Sequence, residues 1–298
     1  MQETSPERPD WAERKDTYII DPENATEMAR LTMQDRMITR TMGGVFNERE
    51  RALFGERPER MLDVACGPGG WTLDAALEYP ETEVVGIDIS QIMIEYARAQ
   101  GWSRGLENVS FHEMDVLKAL DFSDNVFDVV NARFLVAFML QNFWPRVVRE
   151  LYRVTRPGGY IRLTECDTPA ITNSPACEQM LSWMGQLFKK VGYGFSPDGR
   201  SIGITPMLPH LLREAGCEEI QLQSHVMDFS SGSENHVLQC QNFMTIFYQA
   251  PEITGRKFKI APPEEVEAVY NRMLAEMQGD DFLGLAYLLT AVGRKPLS

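Results

Sequence analysis

The chain has 298 residues, of which 44% are hydrophobic and 24% are charged. This composition is typical of a globular protein with a large core and excludes an extensively disordered chain. Its 29 basic and 43 acidic residues give a net charge of −14, and no run of Lys or Arg could follow a phosphate backbone, so nucleic acid and anionic membranes are not expected as partners.

The N-terminal segment contains one predicted helix. After an Asp-Pro pair typical of a helix start, the residues up to about 41 are predicted to be helical until two glycines end the helix. Met28 and Ile38 fall on one apolar face and Met37 falls almost opposite, so both faces need cover. Two interpretations stay open: an ordinary core helix, or a lid over an active site or a contact between copies in a homo-oligomer. As part of a lid, Tyr18 would cap a bound cofactor.

Short apolar runs and helical segments alternate from residue 60 onward. Buried strands are predicted at residues 61–65, 83–89, 109–114, 127–131 and 160–164. Helices are predicted at residues 71–79, 91–100 and 144–155. This alternation is typical of an α/β fold, with right-handed βαβ units and a mostly parallel sheet that carries helices on both faces.

The last third of the chain carries longer insertions. Helices are predicted at residues 177–191, 234–249 and 263–277, and strands at residues 219–229 and 283–292. Helices inserted between the final strands of such a sheet lie beside its ligand-binding edge. We therefore expect the insertions at about 170–210 and 232–280 to enclose a substrate.

The cysteines are scattered along the chain, at Cys66, Cys166, Cys177, Cys217 and Cys240. They form no CxxC pair and no His pattern suited to zinc, so we expect no metal site and reduced thiols in a cytoplasmic protein. The segment from Met1 to about Tyr18 lacks the apolar core of a signal peptide. No later apolar run is long enough to span a bilayer.

A glycine-rich turn follows the first predicted strand. The segment reads M-L-D-V-A-C-G-P-G-G-W at residues 61–71, a buried strand that runs into the turn and then into a helix. Glycines in such a turn let the backbone approach a ligand. Asp88 ends the next strand, at the separation where an acidic side chain can accept hydrogen bonds from both ribose hydroxyls. The pair predicts a nucleoside site.

Two kinds of nucleotide compete for this site. A dinucleotide fingerprint G-x-G-x-x-G counted from Gly67 and Gly69 would need a third glycine where Thr72 stands. Asp63 at the start of the turn would repel a pyrophosphate but would attract an ammonium group. The residues therefore favour a nucleoside with an amino-acid end.

At this point the sequence resembles the class I methyltransferases, most closely the branch with the ubiquinone and menaquinone C-methyltransferases and many small-molecule methyltransferases. The segment D-V-A-C-G-P-G at residues 63–69 is similar to the family's first motif, with Ala65 in place of its first glycine. Asp88 matches the ribose-binding acid, Asp115 the acid that receives the adenine amine, and Asn131 a contact to the methionine end. The resemblance covers roughly residues 60–165.

This resemblance implies S-adenosylmethionine as the cofactor. The cofactor-binding residues it implies are Asp63, Ala65, Gly67, Gly69, Asp88, Ile89, Asp115, Val116 and Asn131. It also implies a Rossmann-like, seven-stranded sheet whose final strand is antiparallel. Residues 1–55 would form an N-terminal helical lid segment, and residues 56–298 the methyltransferase domain.

Methyl transfer needs mainly a fixed distance and angle, so a base is required only if the acceptor must lose a proton. Glu165, at the end of the fifth strand beside Cys166 and Asp167, is the first candidate for a base or a cation stabiliser. The alternative is a structural acid at a strand end. His210, in a predicted helix, is the second candidate.

Aromatic and methionine side chains are frequent in the insertions, and part of them would line the substrate pocket. We therefore expect oxygen or carbon methylation of a small apolar or aromatic metabolite, such as a phenol, quinone, indole or isoprenoid. The alternatives are an enzyme that uses the same fold and cofactor without methyl transfer, a non-catalytic binding subunit, or a nicotinamide oxidoreductase.

Overall fold

One mixed sheet forms the centre of the structure, a computed structural model that describes residues 25–55, 58–168 and 170–297. Within these ranges the sheet has eight strands. They are β1 (Arg60–Val64), β2 (Glu83–Asp88), β3 (Val109–Glu113), β4 (Phe127–Arg133), β5 (Thr155–Glu165), β6 (Ile171–Thr172), β7 (Glu218–Asp228) and β8 (Gly284–Arg294).

Helices flank this sheet. They are α1 (Ala25–Thr41), α2 (Glu48–Phe54), α3 (Gly70–Glu78), α4 (Gln91–Ser103), α5 (Trp144–Val154), α6 (Pro175–Val191), α7 (Leu208–Ala215), α8 (His236–Tyr248) and α9 (Pro263–Glu276). A π-helix at Pro251–Lys257 joins α8 to α9. In the part of the chain that the structure describes, no helix combines the length and the apolarity needed to cross a membrane.

The strand order is β3-β2-β1-β4-β5-β8-β6, and β7 pairs with β8. The first five strands run parallel to one another, whereas β8 is antiparallel to β5, β6 and β7. This order confirms the predicted Rossmann-like sheet and its reversed final strand. The eighth strand is β6, whose two residues are too few to give a period in the sequence.

Two of the apolar clusters in the described part of the chain are the largest. The larger lies on the parallel strands, where Leu62, Val64 and Val130 are fully buried and α5 packs above them. The second joins the inserted helices α6, α8 and α9 to the start of β8 and the end of β7. Because the insertions have their own core, they form a fixed wall beside the sheet.

Local signals place several helix starts. Ser90 Oγ accepts a hydrogen bond from the Met93 amide at 3.4 Å and begins α4. Ser174 Oγ accepts from the Cys177 amide at 2.9 Å and begins α6. Asn47 and Glu50 form a capping box at the start of α2. Each cap satisfies an amide that the first helical turn leaves without a partner.

Candidate functional site

The turn after β1 needs unusual backbone angles. Ala65, Gly67 and Gly69 have φ values of 55°, 53° and 81°, in the left-handed region that only glycine enters without strain. At Gly69 a Cβ would also lie 2.8 Å from Ala97 Cβ and from the Phe111 ring. Gly69 is therefore required for packing of the turn against α4 and β3, while Ala65 accepts the strain of its conformation.

Asp88 is held by the backbone at the end of β2. Its two carboxylate oxygens accept hydrogen bonds from the amides of Gly67 at 2.8 Å and Ser90 at 2.9 Å. The first bond ties the end of β2 to the glycine-rich turn, and the second ties it to the start of α4. The carboxylate thus keeps a defined position beside the turn.

Asp63 lies at the end of β1 and is only 3% exposed. Thr72 Oγ1 donates to one carboxylate oxygen at 2.7 Å, and Asn131 Nδ2 donates to the other at 2.8 Å. Burial nevertheless raises the pKa of Asp63 to about 6, although the Arg133 guanidinium acts in the opposite direction. Near neutral pH the protonation state of Asp63 therefore depends on any charge placed beside it.

Asn131 acts behind Asp63, inside the core. Its Oδ1 accepts from Arg162 Nη1 at 2.7 Å, and Arg162 Nε donates to Glu50 Oε1 at 2.6 Å. Asn131 itself is fully buried. A buried chain of side chains thus runs from Glu50 on α2 through β5 and β4 to Asp63.

A second charged pair joins α1 to β4. Asp35 and Arg133 form an ion pair, and Arg133 Nη1 also donates to Thr39 Oγ1 at 3.1 Å. Asp35 Oδ2 is buried and has no hydrogen-bond partner among the described residues. It lies against Gly70, where a Cβ would come within 2.1 Å of it. The carboxylate of Asp35 therefore rests on the start of α3, next to the glycine-rich turn.

The charged side chains of Asp35, Asp63, Asp88 and Arg133 line one cavity of about 360 Å³. Among the predicted cofactor residues, those that line it are Asp63, Ala65, Gly67, Asp88, Ile89, Asp115 and Val116. Gly69 and Asn131 lie behind the wall, where they shape the turn and hold Asp63. Tyr18 lies outside the described residues.

Apolar side chains from the inserted helices line the rest of the cavity. They include Met180, Trp183, Met184 and Phe188 of α6 and Phe243 and Phe247 of α8. Helix α1 closes the same space with Leu31, Met37 and Ile38. Other aromatic and methionine side chains of the insertions do not reach the cavity, since Tyr193 is buried in the core and Tyr248 is 73% exposed.

The two predicted catalytic residues do not line the cavity. Glu165 is 1% exposed, its Oε1 accepts from the Val136 amide at 3.4 Å, and its Oε2 has no partner among the described residues. Burial raises the pKa of Glu165 well above its usual range and so favours the neutral form of the acid. His210 lies on α7 with a side chain that is 57% exposed and 3.6 Å from Glu214.

The sequence patterns missed several polar residues of the cavity: Arg30, Gln34, Asp35, Arg133, Gln239 and Asn242. Asp35 and Arg133 are 98 positions apart, so no local pattern links them. Gln239 and Asn242 did leave a signal, because they are three positions apart and so lie on the same face of α8 as the buried Phe243. Such polar positions on a buried face indicate a role at a wall or a ligand.

Known proteins are similar to this chain in both sequence and architecture. A family model described as a methyltransferase domain matches residues 56–248. The demethylmenaquinone methyltransferase of Thermus thermophilus is 41% identical over 114 residues, which is 38% of this chain and 49% of that protein. The enzyme of the same name from Lactococcus lactis is 28% identical over 179 residues, 55% of this chain and 68% of that protein. The chain thus spans about half the length of the Thermus relative.

Solved structures share the fold. The [4+2]-cyclase SpnF superimposes with a TM-score of 0.50 and 21% identity over 95% of this chain and 88% of that chain. The YcgJ protein of Bacillus subtilis gives a TM-score of 0.50 with 17% identity, over 80% of this chain and 93% of that chain. At these identities the likeness concerns the architecture alone. The match of the family model over most of the chain decides the family, and the chain belongs to the class I S-adenosylmethionine-dependent methyltransferases.

Proposed function

We propose that this protein transfers the methyl group of S-adenosylmethionine to an oxygen or carbon atom of a small apolar or aromatic metabolite. One observation carries the proposal: the glycine-rich turn and Asp88 open into the same cavity as the apolar side chains of α1, α6 and α8. Cofactor and acceptor would therefore meet in one cavity.

The cofactor would lie along the carboxyl ends of β1, β2 and β3. Asp88 would accept hydrogen bonds from the ribose hydroxyls, and Asp115 and Val116 would flank the adenine. The amino-acid end would lie beside Asp63, with Asp35 and Arg133 within the same cavity. This mixture of acidic and basic groups is complementary to a zwitterion with an ammonium and a carboxylate.

The acceptor would occupy the apolar end of the cavity. Methionine, tryptophan and phenylalanine side chains there suit a flat or hydrocarbon-rich body and disfavour a sugar or a nucleotide. The name of the relatives, demethylmenaquinone methyltransferase, supports an aromatic acceptor as well.

Orientation would supply most of the rate enhancement. Holding a methyl donor and an acceptor atom in line can contribute roughly 7–11 kcal/mol. The predicted catalytic roles of Glu165 and His210 are not part of the proposal, because neither side chain lines the cavity. Glu165 instead accepts the amide of Val136, whose neighbours Ala137 and Phe138 line the cavity with it.

A methyl-transfer assay tests the proposal. Purified protein is mixed with methyl-labelled S-adenosylmethionine and pooled small metabolites, and labelled products are identified by mass. We expect label in an apolar product and formation of S-adenosylhomocysteine. Conversion of a metabolite without label would indicate an enzyme of the same fold that does not transfer methyl groups. Cofactor binding without any turnover would indicate a binding subunit.

The ribose contact gives a sharper prediction. Asp88→Ala should weaken the affinity for S-adenosylhomocysteine at least tenfold, which corresponds to about 1.4 kcal/mol. Asp121→Ala, which changes an exposed aspartate, is the matched control and should bind as the wild type does. Calorimetric titration measures both, and equal affinities would show that the ribose lies elsewhere.

Three further expectations from the sequence stay predictions. They are the cytoplasmic location, the lid role of residues 1–55 ahead of the methyltransferase domain, and the contact between copies in a homo-oligomer. Sedimentation analysis measures the last of them.

A further inference from the structure

A buried polar cluster interrupts the apolar wall of the cavity. It consists of Glu27, Arg30 and Gln34 on α1 and of Gln239 and Asn242 on α8. Arg30, Gln239 and Asn242 are 3%, 3% and 4% exposed, and all members except Glu27 line the cavity. Polar groups so deeply buried are stable only when they are hydrogen-bonded. The hydrogen bonds within the cluster therefore decide which groups it offers to a ligand.

Arg30 sets the orientation of two amides. Its Nε and Nη2 donate to the two oxygens of Glu27 at 2.7 and 2.6 Å. Its Nη1 donates to Gln34 Oε1 at 3.1 Å and to Asn242 Oδ1 at 2.9 Å. A guanidinium contains donors only, so the oxygen of each amide must face it. The NH2 groups of Gln34 and Asn242 consequently point away from Arg30.

Asn242 passes this orientation on to Gln239. Its Nδ2 donates to Gln239 Oε1 at 3.2 Å, which leaves Gln239 with its NH2 group as the end that can meet a ligand. No hydrogen bond joins Gln34 Nε2 or Gln239 Nε2 to another residue in the described part of the chain. The cluster therefore presents two amide NH2 groups to the cavity. Their orientation follows from the hydrogen bonds that Arg30 donates.

We propose that the NH2 groups of Gln34 and Gln239 bind a hydrogen-bond-accepting oxygen, a carbonyl or phenolate oxygen, on the apolar acceptor substrate. The inference rests on the proposed function in one respect, since it takes the cavity as the acceptor site. A ligand that carries only N–H donors would place donor against donor and leave all of these groups unpaired. Arg30 and Asn242 are positioning residues, because they act through the two glutamines.

Three ligands of matched size test the polarity of the site. 1-Indanone carries one accepting oxygen, indole carries one N–H donor, and indane carries neither. We expect the protein saturated with S-adenosylhomocysteine to bind 1-indanone about tenfold more tightly than indole, as an unpaired buried donor implies. Ligand-observed NMR titration measures the three affinities. Gln239→Met, of similar length but without a donor, should reduce the preference for 1-indanone and should not weaken the binding of indane.

The variant Asn242→Asp should reduce the preference for 1-indanone. One oxygen of the new carboxylate still accepts from Arg30, but the other can only accept, so the NH2 group of Gln239 must turn toward it. Gln239 Oε1 then faces the cavity, where it can accept from indole, while the NH2 group of Gln34 keeps its orientation. Gln241→Glu is the matched control, because it adds the same charge on the exposed side of α8. It should leave the preference for 1-indanone intact.

The outcomes separate this proposal from the proposed function. Indole binding as tightly as 1-indanone to the wild type, an unchanged preference in Asn242→Asp, or no binding of either ligand would overturn the assignment of the two donors. The affinity of each variant for S-adenosylhomocysteine is measured in parallel and should stay within about twofold of the wild type. If the wild type does not bind S-adenosylhomocysteine, the proposed function is refuted. The preference between the ligands could still be measured in the absence of that compound.

Discussion

Asp63 is deeply buried and also lines the cavity. Two neutral donors, Thr72 and Asn131, hold its carboxylate. Neither donor neutralises it, which is why burial raises the pKa of Asp63 to about 6. An ammonium group bound beside it would favour the ionised form and lower this pKa.

We therefore expect the affinity for S-adenosylhomocysteine to depend on pH through Asp63. Below pH 6 the protonated acid must lose its proton when the ammonium binds, so the affinity should rise with pH, by at most about tenfold per pH unit, and level off above about pH 7. Asp63→Asn keeps both hydrogen bonds, since the Thr72 hydroxyl can also accept. Titrations at pH 5, 6 and 7 should show this rise in the wild type and little of it in the variant. An equal rise of affinity with pH in the wild type and in Asp63→Asn would contradict the role of Asp63.

Gly70 is the first residue of α3 and lies against Asp35. Its backbone is helical, where alanine is intrinsically better by about 1 kcal/mol. A Cβ there, however, would lie 2.1 Å from Asp35 Oδ2 and 2.7 Å from Asp35 Cγ. Gly70→Ala should therefore lower the free energy of unfolding by about 1–3 kcal/mol, as measured by denaturant titration.

The matching control is the same change made in an Asp35→Ala background. Removal of the carboxylate leaves only Asp35 Cβ, at 3.2 Å from the added carbon, so Gly70→Ala should become neutral or stabilising there. An equal loss of stability in both backgrounds would show that Asp35 does not occupy this space.

Individual residues were predictable from the sequence where their role is local. The turn at residues 63–69 and Asp88 could be recognised because strand, turn and helix are consecutive in the chain. Asp35 and Arg133 could not, because each takes its role from a partner 98 positions away that folding brings close. Burial also changes the chemistry of a residue, as it does for Glu165, and the sequence does not contain burial directly.

At the scale of elements, a buried ion pair fixes α2 against the sheet. Arg162 and Glu50 have side chains that are 1% and 2% exposed, and Arg162 also holds Asn131 behind Asp63. This contact links the packing of α2 to the position of a residue in the cavity. The pair therefore connects the stability of the fold with the proposed cofactor site.

Arg162→Met should lower the free energy of unfolding by about 3–5 kcal/mol, because it leaves Glu50 buried without its counter-charge. Arg60→Met is the control, since its ion pair with Glu83 is 36% and 52% exposed and should contribute under about 1 kcal/mol. The double variant Glu50→Met with Arg162→Met should recover part of the loss. A loss in Arg162→Met no larger than in Arg60→Met would contradict the assigned burial.

The elements themselves were largely predictable because their periods and caps are strong. Predicted and observed bounds differ by a residue or two for β1, β2, β3 and α3. The start of β5 was not predicted correctly. The sequence predicted a helix up to residue 155 and a strand from residue 160, because Arg-Pro-Gly-Gly between them is typical of a turn, whereas β5 begins at Thr155. For α1, the two apolar faces predicted cover on both sides. The structure supplies it from Leu288 of β8 for Ile38 and from the inserted helices for Met37.

For the molecule as a whole, cofactor binding should raise stability. A ligand that binds only the folded chain, at one hundred times its Kd, adds about 2.7 kcal/mol to the free energy of unfolding. We expect S-adenosylhomocysteine to raise the unfolding midpoint and NAD at equal concentration to leave it unchanged. Differential scanning fluorimetry measures both. Stabilisation by NAD alone would favour a nicotinamide enzyme and contradict the site proposed here.

Strand β8 has a consequence for folding. It lies between β5 and β7, pairing Tyr160–Glu165 on one side and nearly all of β7 on the other. Until Gly284–Arg294 pairs with them, β5 and β7 both present open hydrogen-bonding edges, and such edges are templates for aggregation. The docking of this one strand therefore covers two exposed edges at once.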